Sequence, residues 1–194
     1  MEKLTREGLY SLEKYAEIRP EFRTRVIEHK KNRIVTIGHH ATLYFEDRLT
    51  VQYQIQEILR IERIFESGGI QEELDVYNPL IPGGTNWKAT FMIEYEDPAA
   101  RKQALSEMIG IERSVQIKLD GFDPVRPIAN EDLQRETEEM TSLVHFLRFE
   151  LTPEMIASAK EGAAISVAID HPAYRYQTDA LPEATRASLV KDLD

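Results

Sequence analysis

From Trp87 onward the chain alternates in character, with Ala89, Phe91, Ile93 and Tyr95 set between Lys88, Thr90, Met92 and Glu94. That period of two predicts a half-buried strand. Asp97-Pro98 then supplies a cap and a first-turn proline, so a helix is expected over "AARKQALSEMIG", stopped at Gly110. Val115, Ile117 and Leu119 read as the inner face of the next strand, and Asp120-Gly121 as a turn toward "PVRPIA". The same order recurs: a strand "LVHFLRFEL", a cap and proline at Thr152-Pro153, a helix to Lys160, Gly162, a strand "AISVAI", a turn at Asp170-His171-Pro172, and "YRYQTDAL". Residues 86–194 therefore read as two β-α-β-β units, each pairing antiparallel within itself, followed by a helix opened by Pro182. Phe91, Ile93, Val115, Ile117, Leu147, Phe149, Val167 and Ile169 are expected to share one core.

Residues 1–85 are patterned for helices. Short helices are expected near 5–16 and 20–31, and "RIVTI" and "ATLYF" flank Gly38-His39-His40 as a hairpin. Asp47 stands where a helix cap belongs. From Arg48 to about Glu66, Val51, Ile55, Ile58, Leu59 and Phe65 fall on one broad apolar face, which Tyr53, Ile61 and Ile64 extend, while Gln52, Gln56, Arg60 and Arg63 form a narrow polar strip. This spacing predicts a central, buried helix. The fold class is α+β: a helix-rich subdomain over 1–85 with a hairpin and a central helix, then the two units forming a mainly antiparallel sheet. "PLIPGGTN" lies at the boundary, and the two parts are expected to pack as one body.

On that helical wheel Glu62 falls in the middle of the apolar face. A buried carboxylate without a partner is costly, so Glu62 is expected to pair with an arginine of the segment 19–33, to bind a ligand such as a metal, or to be less buried than the wheel implies. His29, His39, His40, Glu46, Glu57 and Glu62 are the nearest supply for a non-haem metal ion, assembled from separate elements, because neither Glu-x-x-His nor His-Glu-x-x-His occurs. His39 and His40, if extended, point to opposite sides. His145, in register with Leu143, Leu147, Phe149 and Leu151, reads as a satisfied core histidine, and His171 as a turn residue. Serine elbows, Walker loops and Gly-x-Gly-x-x-Gly fingerprints do not occur.

Composition narrows the classes further. The 194 residues contain no cysteine, which excludes disulfides and thiolate-held metal, and 24 cations against 34 acids give −10, which disfavours nucleic acid. No apolar run approaches the length of a membrane span, so a soluble cytoplasmic protein is expected. The charge is uneven: residues 19–33 carry six cations and two acids, whereas 130–139 carry five acids and one cation. The two segments are read as solvated faces or as mutually attracting ones, within the chain or across a dimer, with Arg23, Arg25, Lys30 and Lys31 as candidate partner contacts.

The stretches "IRPEFRTRVIEHKKNRIVTIG", "TLYFEDRLTVQYQIQEILRIERIF", "YNPLIPGGTNWKATFMIEY" and "HFLRFELTPEM…DHPAYR" together resemble a bacterial family known only as a domain of unknown function. The resemblance runs nearly end to end. Members of that family are often encoded beside rubrerythrin-like proteins and iron–sulfur oxidoreductase subunits, which implies an oxidative-stress or electron-transfer setting and brings no catalytic residues with it. The leading expectation is thus a self-associating accessory or binding protein of a redox system, without catalysis of its own and with a rubrerythrin-like or iron–sulfur partner. The alternative is a metal-binding protein or metalloenzyme with a His/Glu site in residues 29–62.

Overall fold

Alternation along four strands and a short fifth builds an antiparallel sheet in a computed structural model that describes residues 2–131, 137 and 139–194. Its order is β1 (Ile34–Ile37), β2 (Ala41–Glu46), β3 (Asn86–Ile93), β6 (Val144–Glu150), β5 (Ile128–Ala129). A second sheet runs β4 (Val115–Leu119), β7 (Ile165–His171), β8 (Tyr174–Gln177). The expected single sheet is corrected to two. Pairing also runs mostly between the repeated units: Lys88 of β3 faces Arg148 of β6, and Ile117 of β4 faces Val167 of β7. Among the described residues, pairing inside a unit is confined to β7 with β8 and an isolated antiparallel bridge between Ile117 and Val125.

The reason lies in the connections. α4 (Pro98–Glu107) follows β3 and α5 (Pro153–Glu161) follows β6, and each carries the chain from the first sheet to the second. Alternation specifies which face of a strand is apolar, and it leaves the neighbouring strand open. The inner faces of both sheets meet in one hydrophobic cluster that contains all eight residues expected to share a core. Asp97 and Thr152 cap their helices as the sequence predicts, accepting from Ala100 N at 2.7 Å and Met155 N at 3.3 Å. α6 (Glu183–Val190) closes the core, its Leu189 carbonyl accepting from the buried Trp87 indole at 2.8 Å.

The N-terminal helices pack beside the sheets around their own clusters. The hairpin β1–β2 forms at the expected place but pairs with β3, so the first sheet crosses the boundary placed near residue 85. α1 runs unbroken from Leu12 to Lys30, correcting the two short helices. Pro20 lies inside it on the exposed side, where a lost amide donor is cheap, and Tyr15, Phe22 and Val26 on the opposite side anchor both halves.

α2 spans Arg48–Glu62 and is central, with Val51, Ile55 and Leu59 buried. Its polar strip is buried at Gln52 and Gln56 and reaches solvent at Arg63. Gln56 is 0% exposed and clasps the Tyr10 main chain, accepting from its N at 2.7 Å and donating to its O at 3.3 Å. The helix stops early because Arg63 turns left-handed at φ 56°. The helical wheel therefore ends before Phe65, which is 73% exposed, and Glu62 is exposed too. α3 (Ser67–Tyr77), opened by the weak signal Ser-Gly-Gly, was not expected. Among the described residues no helix is long and apolar enough to cross a membrane.

Candidate functional site

The six candidate metal ligands fall in separate places. His29, in the last turn of α1, sets Nε2 at 2.5 Å from Asp47 Oδ2. Asp47 caps α2 as predicted, accepting from Leu49 N and Thr50 N at 3.0 and 2.9 Å, while Thr50 Oγ1 accepts from Asp47 N. Beside it Glu46 is buried and accepts from Thr50 Oγ1 at 2.6 Å and Thr90 Oγ1 at 2.8 Å. His39 and His40 sit at the other end of β2, five residue steps or about 17 Å away. Among the described residues no group of three or more His, Asp or Glu stands close enough to hold a metal ion.

Glu57 takes the place expected of Glu62. It accepts from Arg19 at 2.8 and 2.9 Å, from Tyr15 Oη at 2.8 Å and from Arg60 Nη2 at 3.2 Å. The Arg19 guanidinium leads in drawing its carboxyl down to about 2, against burial, which raises it. A depressed carboxyl stabilises the fold above its unfolded value near 4.5 and loses that contribution as pH falls toward 2. Because Arg60 is partly solvated, Glu57→Gln is expected to cost only about 1–2 kcal/mol at pH 7. The difference from the parent should shrink in urea melts at pH 4 and 3; one that does not change with pH would contradict the assignment.

Of the candidate partner contacts, Arg23, Arg25 and Lys31 are exposed and Lys30 is half-buried. Arg25 lies over the Phe22 ring at 4.8 Å and Lys31 pairs with Glu28 at 2.5 Å. The acidic segment expected to answer them lies mostly outside the described residues, and Glu131 pairs instead with Arg148 at 2.7 Å. His145 is a satisfied core histidine, held by Asn130 and Thr141 at 3.0 Å each. His171 ends β7 and accepts from Ala173 N at 3.2 Å through Nδ1.

One cleft stands out chemically, at the tip of the hairpin. Its volume is about 700 Å³ and its lining includes His39, His40, Glu94, Tyr95, Glu96 and Arg101. Residues 38–40 form a turn, not an extended run, so both histidines line the same cleft, contrary to the expectation that they diverge. His40 stacks on Tyr95 with centroids 3.8 Å apart at 15°, and His39 meets Tyr176 edge-on at 5.7 Å. Behind them Tyr174 Oη donates to Ile37 O at 2.7 Å and accepts from His40 N at 2.9 Å, which clamps the tip onto the second sheet. Burial raises the Tyr174 phenol and keeps it a donor.

His40 Nδ1 lies 3.0 Å from Glu94 O. A carbonyl only accepts, so Nδ1 carries a proton, and in the neutral ring Nε2 is an acceptor. The Glu94 carboxylate accepts from Thr42 Oγ1 at 2.7 Å and Tyr44 Oη at 3.1 Å. Arg101 folds back on its own neighbourhood, with Nη2 3.4 Å from Glu96 O and a buried Nε that has no hydrogen-bond partner. No single sequence signal marks this cleft, since the hairpin tip, the segment after β3 and α4 each contribute to it.

A family model described as "Protein of unknown function (DUF3501)" matches residues 3–193. A crystal structure titled as a novel protein of unknown function from Burkholderia pseudomallei K96243 is 51% identical, with 100% of each chain covered and a TM-score of 0.94. No curated protein matches the chain.

Proposed function

The chain belongs to the DUF3501 family of proteins of unknown function, and we propose that it is a binding protein whose working surface is the hairpin-tip cleft. The observation that carries this reading is the unused capacity of that cleft. In its neutral form His40 presents an acceptor at the nitrogen that its own main-chain contact leaves unused, and aromatic rings and carboxylates line a space large enough for a partner's side chains. Four of the five histidines are held by hydrogen bonds to the protein itself, which suits a recognition surface better than a proton shuttle. The setting in this proposal is a bacterial redox or oxidative-stress system, in which the protein is an accessory to a rubrerythrin-like or iron–sulfur protein. Ile61 and Phe65, 65% and 73% exposed at the end of α2, offer apolar surface for contact between its own copies.

The test uses purified proteins. Rubrerythrin-like and iron–sulfur proteins of the same bacterium are titrated against the parent, His40→Ala and an Arg23→Ala/Arg25→Ala pair, with sedimentation recording the assembly. Loss of affinity by about tenfold or more in His40→Ala, with retention in the α1 variant, is expected for a side chain at the centre of an interface. Absence of binding, or binding that depends on α1 and ignores His40, overturns the reading. Stoichiometric iron, manganese or zinc in protein made in metal-replete medium would replace it with a metal site.

A further inference from the structure

We propose that the hairpin-tip cleft receives a positively charged side chain, a lysine or arginine projected by the protein that docks there. The inference rests on the binding reading above and specifies the chemistry of its partner. Three features converge on a cation. In the neutral ring His40 Nε2 is an acceptor, because Nδ1–H faces the Glu94 carbonyl at 3.0 Å. The stacked pair of His40 and Tyr95 sets an electron-rich aromatic ring in the lining of the cleft, and cations bind the faces of such rings. Among the described residues of the lining, Glu94, Glu96 and Asp97 outnumber the cation Arg101.

The accounting of those charges strengthens the case. Asp97 is occupied in capping α4, where it accepts from Ala100 N, while Glu94 makes one bond through each oxygen and keeps further lone pairs. Arg101 is drawn back against the Glu96 main chain, so its charge is turned to its own helix's approach. Burial and the nearby Glu107 both raise the Tyr95 phenol, which stays neutral and keeps its ring available. The chain's net charge of −10 adds long-range attraction for a basic partner.

The experiment separates this inference from the one it rests on. Capped Gly-Arg-Gly, Gly-citrulline-Gly and Gly-Glu-Gly peptides are titrated into the ¹⁵N-labelled full chain, and the shifts of residues 39, 40 and 95 are followed. The arginine peptide should bind, citrulline with the same shape and no charge should bind at least about fivefold more weakly, and the acidic peptide should not compete. Arg101→Gln should tighten the arginine peptide about fivefold and Glu96→Gln should weaken it by a similar factor, with the remaining spectrum unchanged. Equal binding of citrulline, preference for the acidic peptide, loss of binding in Arg101→Gln, or no shift with the arginine peptide at tens of millimolar overturns the proposal. If His40→Ala abolishes capture of a partner protein while the arginine and citrulline peptides behave alike, the cleft is a binding site and the charge inference is wrong. If the arginine peptide binds as expected and no redox protein is captured, the error lies in the assigned setting.

Discussion

Replacing Arg33 with alanine is expected to lower the unfolding free energy by about 3–5 kcal/mol. The guanidinium is 1% exposed and joins three parts of the chain: it donates to Phe45 O and Glu46 O at 3.0 Å each, to Ser188 O at 3.2 Å and to Asp192 Oδ2 at 2.5 Å. Asp47 Oδ2 stands 3.5 Å from its Nε. Removing the cation strands the buried Asp192 carboxylate, takes a nearby charge from Asp47 and withdraws a donor from three carbonyls, which is the costly direction for a buried pair. Arg33→Met combined with Asp192→Leu should recover part of the loss, because one stranded charge leaves with its partner. Urea unfolding at pH 7 reads both variants, and a loss below about 1 kcal/mol for Arg33→Ala would show that the network is not structural. The pH dependence has a definite sign. Burial pushes Asp192 up to about 6 despite Arg33, from an unfolded value near 3.8. The folded state therefore holds the proton more tightly, and stability declines as pH rises through that window. Asp192→Asn should abolish this decline.

Gly38→Ala is expected to cost about 2–4 kcal/mol and to disturb the histidine cleft as it does so. Gly38 has φ +70°, a conformation that any side chain with a Cβ adopts at a cost. A Cβ there would also stand 2.6 Å from both Tyr174 Oη and Tyr176 Cγ. Tyr174 is buried and bonded to Ile37 and His40, so relief would break the clamp that positions His40. Gly121 is the internal comparison: its φ is +85°, but a Cβ added there would meet nothing within 4 Å. Gly121→Ala should pay only the backbone part, about 1 kcal/mol. Unfolding midpoints compare the two, and the ring resonances of His40 and Tyr95 report the tip. Equal losses in both variants would mean that the aromatic contact behind Gly38 carries no weight.

The chain by itself determined its local elements. Asp47, Asp97 and Thr152 cap helices at their predicted places, and Gly38-His39-His40 turns the hairpin, because caps and turns depend on a few neighbouring residues. The inner faces of the strands were legible for the same reason, since alternation is a property of the strand alone. What tertiary structure decided was which elements meet. Both sheets present equally apolar inner faces, so nothing local told β3 to pair with β6 while β4 went to β7. The gap expected between two short helices is bridged where Tyr15, Phe22 and Val26 pack together along α1, and Arg63 ended a helix whose periodicity continued. That early end moved Glu62 from the expected core to the surface and left Glu57 to meet Arg19. His39 and His40 were visible as candidates from the start. Their cleft was not, because Glu94, Tyr95 and Arg101 follow more than 50 residues later and come beside the hairpin tip only when β2 pairs with β3.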